Sequence, residues 1–142
     1  MTLPPNENPR LIHDETGTQR LIGYVVDVRD AGCAKVWLDL GKQHLNRHGV
    51  MHGGIAATLL DSASGTAGSL SVDVDGKVPF LTISLTTQFV APGRTGRVTA
   101  TANVTGGGRN LLYISGELRH EDGTLIATST GVFKRVPPDK LT

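Results

Sequence analysis

The stretch at residues 52–71, HGGIAATLLDSASGTAGSLS, decides how the rest of the 142-residue chain is read. Within it Ile55, Leu59, Leu60, Ala63, Ala67 and Leu70 recur at spacings that lay one apolar stripe along a helix. The spacing predicts a single long helix. Its length invites a membrane reading, but four serines, two threonines, a histidine and a central carboxylate are unfavourable in hydrocarbon. A buried core helix is expected instead, and no membrane partner. Between Val50 and Val72 the only residue of the Asp/Glu/Lys/Arg set is Asp61. A carboxylate among such neighbours is unfavourable unless it is hydrogen-bonded, paired, or wet inside a cleft. Packing supplies no reason for it, so Asp61 is the first candidate for chemistry.

Immediately upstream stands Asn46-Arg47-His48-Gly49-Val50-Met51-His52-Gly53-Gly54. At a helix start the first amides lack internal partners, and the summed peptide dipoles favour negative charge. Glycine has no Cβ, so a ligand carbonyl can approach the backbone there. The Gly53 amide is therefore a candidate oxyanion-hole donor, and the competing reading is a glycine cap that lets helix and sheet pack tightly. Asp61 lies eight residues beyond Gly53, roughly 12 Å along a helix. One acyl carbon cannot touch both. If both serve one reaction centre, the carboxylate comes from a second copy of the chain around a two-fold axis, and the protein is at least a dimer.

Around the helix the pattern changes to strands. Ile22, Tyr24, Val26 and Val28 form one apolar face of a strand over residues 21–28, and residues 34–40 give its hairpin partner through the Asp30-Ala31-Gly32 turn. After the turn Asp73-Val74-Asp75-Gly76 come four runs, 78–90, 95–105, 111–120 and 125–135. Their separators are Ala91-Pro92-Gly93, Gly106-Gly107-Gly108 and Glu121-Asp122-Gly123, which fit consecutive antiparallel strands joined by short connections. The expected class is α+β, one long helix wrapped by a curved antiparallel sheet of five to six strands. The expected organisation is an N-terminal tail at 1–15, one domain at 16–136 and a C-terminal tail at 137–142.

Composition narrows the function. Fourteen Lys and Arg against thirteen Asp and Glu leave a net charge of +1, no field for a nucleic-acid backbone, so nucleic acid is not expected as a partner. The one cysteine, Cys33, excludes an internal disulfide and a four-thiolate zinc site. Residues 1–10 carry three prolines and no apolar run, unlike a secretory signal, and a cytoplasmic location is expected. His44, His48 and His52 recur every fourth residue, but Gly49 and Gly53 argue against a helical metal stripe, and no metal is expected. No serine stands in Gly-x-Ser-x-Gly, and the triple glycine lacks the Lys-Ser/Thr of a phosphate loop. Of the cations at strand ends, Arg94, Arg97, Arg109, Lys134 and Arg135, Arg109 is favoured for nucleotide phosphates because glycine amides precede it.

Asn46, the run Gly49-Val50-Met51-His52-Gly53-Gly54, then Leu60-Asp61 and Gly65 together resemble the signature of hot-dog-fold thioesterases of the phenylacetate-degradation (PaaI-like) type. Phe89-Val90-Ala91-Pro92-Gly93-Arg94-Thr95-Gly96 and the strand residues Gly123-Thr124-Leu125-Ile126-Ala127 and Gly131-Val132-Phe133 extend the likeness over residues 19–136. The resemblance implies hydrolysis of acyl-coenzyme A to free acid and CoA without a cofactor, in a homo-oligomer, a dimer or dimer of dimers. By position, Gly53 polarises the thioester carbonyl, Asn46 orients substrate or water, and Asp61 of the neighbouring protomer is general base or nucleophile. His52 lies near the leaving sulfur or braces the loop. Thr82 stands beside the water, with Ser84 on the same side of the strand. Gly54, Arg109, Met51 and Leu60 are the expected substrate contacts, with Leu59 and Ile55 also lining the acyl pocket. Two rival readings are a hydratase or dehydratase pairing His52 with Asp61, and a non-catalytic module that binds acyl thioesters.

Overall fold

The structure, a computed structural model, describes residues 8–30 and 32–140. Strand β1 (Leu11–Ile12), helix α1 (Gly17–Ile22), β2 (Val25–Asp27) and β3 (Ala34–Asp39) lead into a 3₁₀ turn at Lys42–His44. Helix α2 (Gly53–Val72) follows, then β4 (Phe80–Phe89), β5 (Arg97–Gly107), β6 (Leu111–His120) and β7 (Leu125–Arg135). All strands join one antiparallel sheet in the order β1-β2-β3-β5-β6-β7-β4, and α2 packs across it.

The apolar stripe does what its period predicts. Ala56, Leu59, Leu60, Ala63 and Ala67 are buried against Val36, Leu38, Val98, Ala100, Ile114, Leu118 and Phe133, which alternate along the strands with residues of the outer face. Small residues bring helix and sheet close. At Gly68 a Cβ would stand 3.3 Å from Ile114 and 3.5 Å from Phe80. On the facing strand, a Cβ at Gly116 would meet Ser129 Oγ at 2.7 Å and Leu60 Cδ2 at 3.2 Å.

Three expectations are corrected. Residues 17–22 form a helix instead of opening a strand: the Thr16 hydroxyl accepts the Gln19 N–H, and Gly23, at φ +92°, ends the turn in a conformation that favours glycine. Ile22, Tyr24 and Val26 nevertheless face the core as a set. Second, the strand count rises from the expected five to six to seven, because Leu11 and Ile12 pair with Asp27 and Val26. Gln19 ties this N-terminal strap together, its amide nitrogen donating to the Ile12 and Tyr24 carbonyls at 2.7 and 3.0 Å. Of the tail expected at 1–15, residues 1–7 lie outside those described, as do 141–142 of the C-terminal tail.

Third, Ala91-Pro92-Gly93 does not close a hairpin. β4 pairs with β7 at the sheet edge, so the chain must pass two strands to reach β5, about 14 Å across the sheet end. It is fixed on the way by Val90 and Ala91 N–H to Ile126 O and by Met51 N–H to Gly93 O. A bulge at Ile83 interrupts β4: Thr82 opposes Phe133 while Ser84 opposes Val132. Thr82 therefore shares the helix-facing side with buried Phe133, and Ser84 points to the other face. The expected Thr82–Ser84 alignment is corrected by that one inserted residue.

Gly116→Ala should destabilise the protein by about 1–3 kcal/mol through overpacking between Leu60 and Ser129, read as a lower urea midpoint at unchanged m-value.

Candidate active site

The loop between β3 and α2 is held by a buried histidine. The Gly41 N–H donates to His44 Nδ1 at 2.9 Å, so the ring hydrogen sits on Nε2 and donates to the Ile22 carbonyl at 2.7 Å. The His44 carbonyl in turn accepts the His52 N–H. Asn46 closes the loop: its Oδ1 accepts the N–H of His48 at 2.9 Å and of Val50 at 3.3 Å. With the oxygen so engaged, the carboxamide nitrogen is the end of Asn46 left to face a ligand.

This bracing sets the start of α2. The N–H groups of Met51, His52, Gly54, Ile55 and Ala56 all have acceptors: Gly93 O, His44 O, His52 Nδ1 at 2.8 Å, and His52 O twice. Among the described residues the Gly53 N–H has none. It lies at the positive end of a 20-residue helix whose first turn carries no acidic residue. Gly53 and Asn46 border a cleft of about 390 Å³ with Met51, Phe89, Val90 and Ile126. The Phe89 ring lies over Gly53, where a Cβ would meet its Cζ at 3.2 Å. An unpaired amide and a carboxamide donor over apolar walls can hold a developing oxyanion.

Two turns along α2, Asp61 is half-buried, and the Thr82 hydroxyl donates to its Oδ1 at 2.6 Å. Two clefts, of about 600 and 360 Å³, share Asp61, Ser62, Tyr24 and Thr16. Gly53 lines neither, and Asp61 does not line the Gly53 cleft. A carboxylate so held can take a proton from water or attack a carbonyl.

Of the expected site residues, Asn46, Met51 and Gly53 meet in one cleft, and Asp61 and Thr82 meet in another place. His52 braces: its Nδ1 caps the Gly54 amide, so Gly54 has no free donor for substrate. Leu60 is corrected as a substrate contact, because it is wholly buried between helix and sheet, as is Leu59; Ile55 packs against the same core. Arg109 lies on the β5–β6 turn, at the Phe80 end of the sheet, whereas Gly53 lies at the Phe89 end, roughly 30 Å along β4. Of the other cations, Arg97 is held by Asp39 and stacks on Trp37, and its guanidinium keeps Asp39 below the usual carboxylate range. The sequence reading passed over three contributors. In the sequence His44 reads as a polar loop residue and as one of three histidines at metal-like spacing, Phe89 as a strand residue, and Tyr24, whose hydroxyl lies 3.4 Å from Ser62 beside Asp61, as core. The shared loop of His44 and Gly41 was the one available signal, since a histidine beside a glycine turn can cap it.

The described residues hold no group of His, Cys, Asp or Glu that could bind a metal ion, and no described helix is long and apolar enough to cross a membrane. Residues 48–127 match the model of the thioesterase superfamily. Acyl-coenzyme A thioesterase 13 of Mus musculus is 31% identical over 88 residues, 61% of this chain and 61% of its own length. The chain thus spans about three fifths of that relative. Among solved structures, conserved protein PA5202 of Pseudomonas aeruginosa superposes with a TM-score of 0.77 at 30% identity, over 85% of this chain and 94% of that one. The BH2602 protein of Bacillus halodurans, solved with CoA, gives 0.74 at 27% identity over 85% and 76%.

His44→Ala should destabilise by about 1–3 kcal/mol, since it strands the Gly41 N–H and the Ile22 carbonyl. His48→Ala, on the exposed side of the same loop, should stay within about 0.5 kcal/mol. Equal effects in chemical denaturation would contradict this bracing role.

Proposed function

Because this chain belongs to the thioesterase superfamily, we propose that it hydrolyses acyl-coenzyme A thioesters to the free acid and CoA in pockets built jointly by two copies. The observation that carries the reading is the unpaired Gly53 amide facing an apolar cleft, with the Thr82-bonded Asp61 out of its reach on the same helix. In the reaction the Gly53 N–H, helped by the Asn46 carboxamide, takes up charge on the thioester oxygen. Asp61 of the mate removes a proton from the attacking water, or attacks the acyl carbon itself to form an anhydride that water then opens. Either way the C–S bond breaks, CoA leaves as thiolate and is protonated, and the acid is released.

The sheet supports the pairing. β4 is an edge strand whose outer side no described strand covers, and Leu81, Ile83 and Phe89 on it, with Val90 just past its end, are about half exposed or more. A long apolar edge of this kind is a template for a second strand. If two β4 strands pair antiparallel with Thr86 opposite the mate's Thr86, the two-fold passes through that pair, Leu85 falls opposite Thr87 on the helix-facing side, and Phe89 reaches the mate's bulge at Ile83, beside Thr82. Gly53, under Phe89, then meets the mate's Asp61, bonded to Thr82. The same register brings the exposed Arg109, Lys134 and Arg135 of one copy toward the Gly53 end of the other, where they serve as proposed contacts for CoA phosphates.

A thiol-release assay over short, medium and aryl acyl-CoA substrates tests the proposal. Asp61→Asn should lower kcat by roughly 100-fold or more while the native mass of the assembly is unchanged. Acyl-CoA binding without thiol release in the native protein would favour a binding module, and a near-normal rate in the variant would remove Asp61 from the chemistry.

A further inference from the structure

Gly65 has no packing reason to be glycine. In a helix interior glycine is about 1 kcal/mol less favourable than alanine, and a Cβ here would find nothing within 4 Å. The other glycines of α2 are accounted for: Gly53 lies under Phe89, Gly54 under the capping His52 ring, and Gly68 against Ile114 and Phe80. The room at Gly65 opens into the cleft of about 360 Å³ that begins at Asp61 and Thr82 and ends near Ser69. Along the helix axis that is eight residues, roughly 12 Å.

The chemistry of the walls says what fits. Ile12, Val26, Pro79 and Phe80 give apolar wall to the cleft that Gly65 lines. Apart from the exposed Glu15 and Thr16 at its rim, and Asp61 and Thr82 at the end taken as the reaction centre, the donors along it are already used. Thr66 donates to Ser62 O, Ser69 to Val78 O, and the Gln19 amide to Ile12 O and Tyr24 O. A polar ligand would find those donors taken, whereas an alkyl chain loses nothing by replacing water there. We infer that the cleft along α2 from Asp61 to Ser69 receives the aliphatic tail of a medium-chain acyl group, and that Gly65 sets its bore. This rests on the reading of Asp61 as the reaction centre. The tail lies against the copy that donates Asp61, and the strap of β1 and α1 forms the lid of its channel.

Gly65→Leu places a side chain in open space and improves helix propensity, so the fold should tolerate it. Thiol release from butyryl-CoA and decanoyl-CoA is compared for the native protein, Gly65→Ala and Gly65→Leu, with native mass measured for each. The expected result is a loss in kcat/KM for decanoyl-CoA at least tenfold greater than for butyryl-CoA in Gly65→Leu, with Gly65→Ala between. An equal loss on both substrates with a changed mass would mean that a second copy fills the room at Gly65, and no differential loss at unchanged mass would mean that the tail runs elsewhere; either overturns the inference. Absence of thiol release from both substrates by the native protein would instead overturn the hydrolase reading beneath it.

Discussion

The rigid rise of α2 is the constraint on which the site depends. An α-helix advances 1.5 Å per residue, so an amide at Gly53 and a carboxylate at Asp61 on one helix stay about 12 Å apart whatever the side chains do. Each is nevertheless prepared for chemistry. The amide is left without an acceptor by a loop that satisfies its neighbours, and the carboxylate is gripped by Thr82 from the edge strand. That separation is the reason we propose that each pocket is built by two copies.

Both half-sites hang on the same scaffold. His44 fixes the loop to the end of α1, its carbonyl fixes His52, and His52 caps the helix, so the direction of the Gly53 N–H follows from a chain of hydrogen bonds starting at a buried ring. The crossover from β4 to β5 runs beneath that helix end and supplies Val90 and Ala91 to the Gly53 cleft. Farther along, the bulge at Ile83 turns Thr82 toward α2 where unbroken alternation would also have turned Ser84 there. Small residues on the buried side of α2 let these parts approach, and the glycine that packs against nothing, Gly65, leaves the space in which we place the acyl tail.

Much of this was legible in the residues because the signals are local. The 3.6-residue stripe, the paired glycines at the helix start and the turns before Leu111 and Leu125 each act within a few residues, and α2, β6 and β7 follow them closely. Non-local choices were not legible. The residues of Ala91-Pro92-Gly93 announce a change of direction but not which strand receives β4. The helix at Gly17–Ile22 was hidden because Leu21 and Ile22 continue the apolar alternation of the next strand, although Thr16 and Gly23 mark its two ends. Leu60 was misplaced for a related reason: a stripe identifies the apolar side of a helix, yet only the docked sheet decides which leucines remain open to a ligand. Asp61 and Thr82, far apart in sequence, were paired only through the family resemblance, and their side chains do meet.

The claim that two copies share each site is tested most directly by subunit complementation. Asp61→Asn and Gly53→Val are made separately, then unfolded together in equal amounts and refolded as a mixture. In a mixed pair, the Gly53 of one chain faces the intact Asp61 of the other, so one site of two is whole, and the mixture should recover about a quarter of the native thiol-release rate. Each variant refolded alone should remain inactive. A mixture as inactive as its components, with mixed pairs demonstrated by native mass spectrometry, would place both groups in one chain's site and contradict the account.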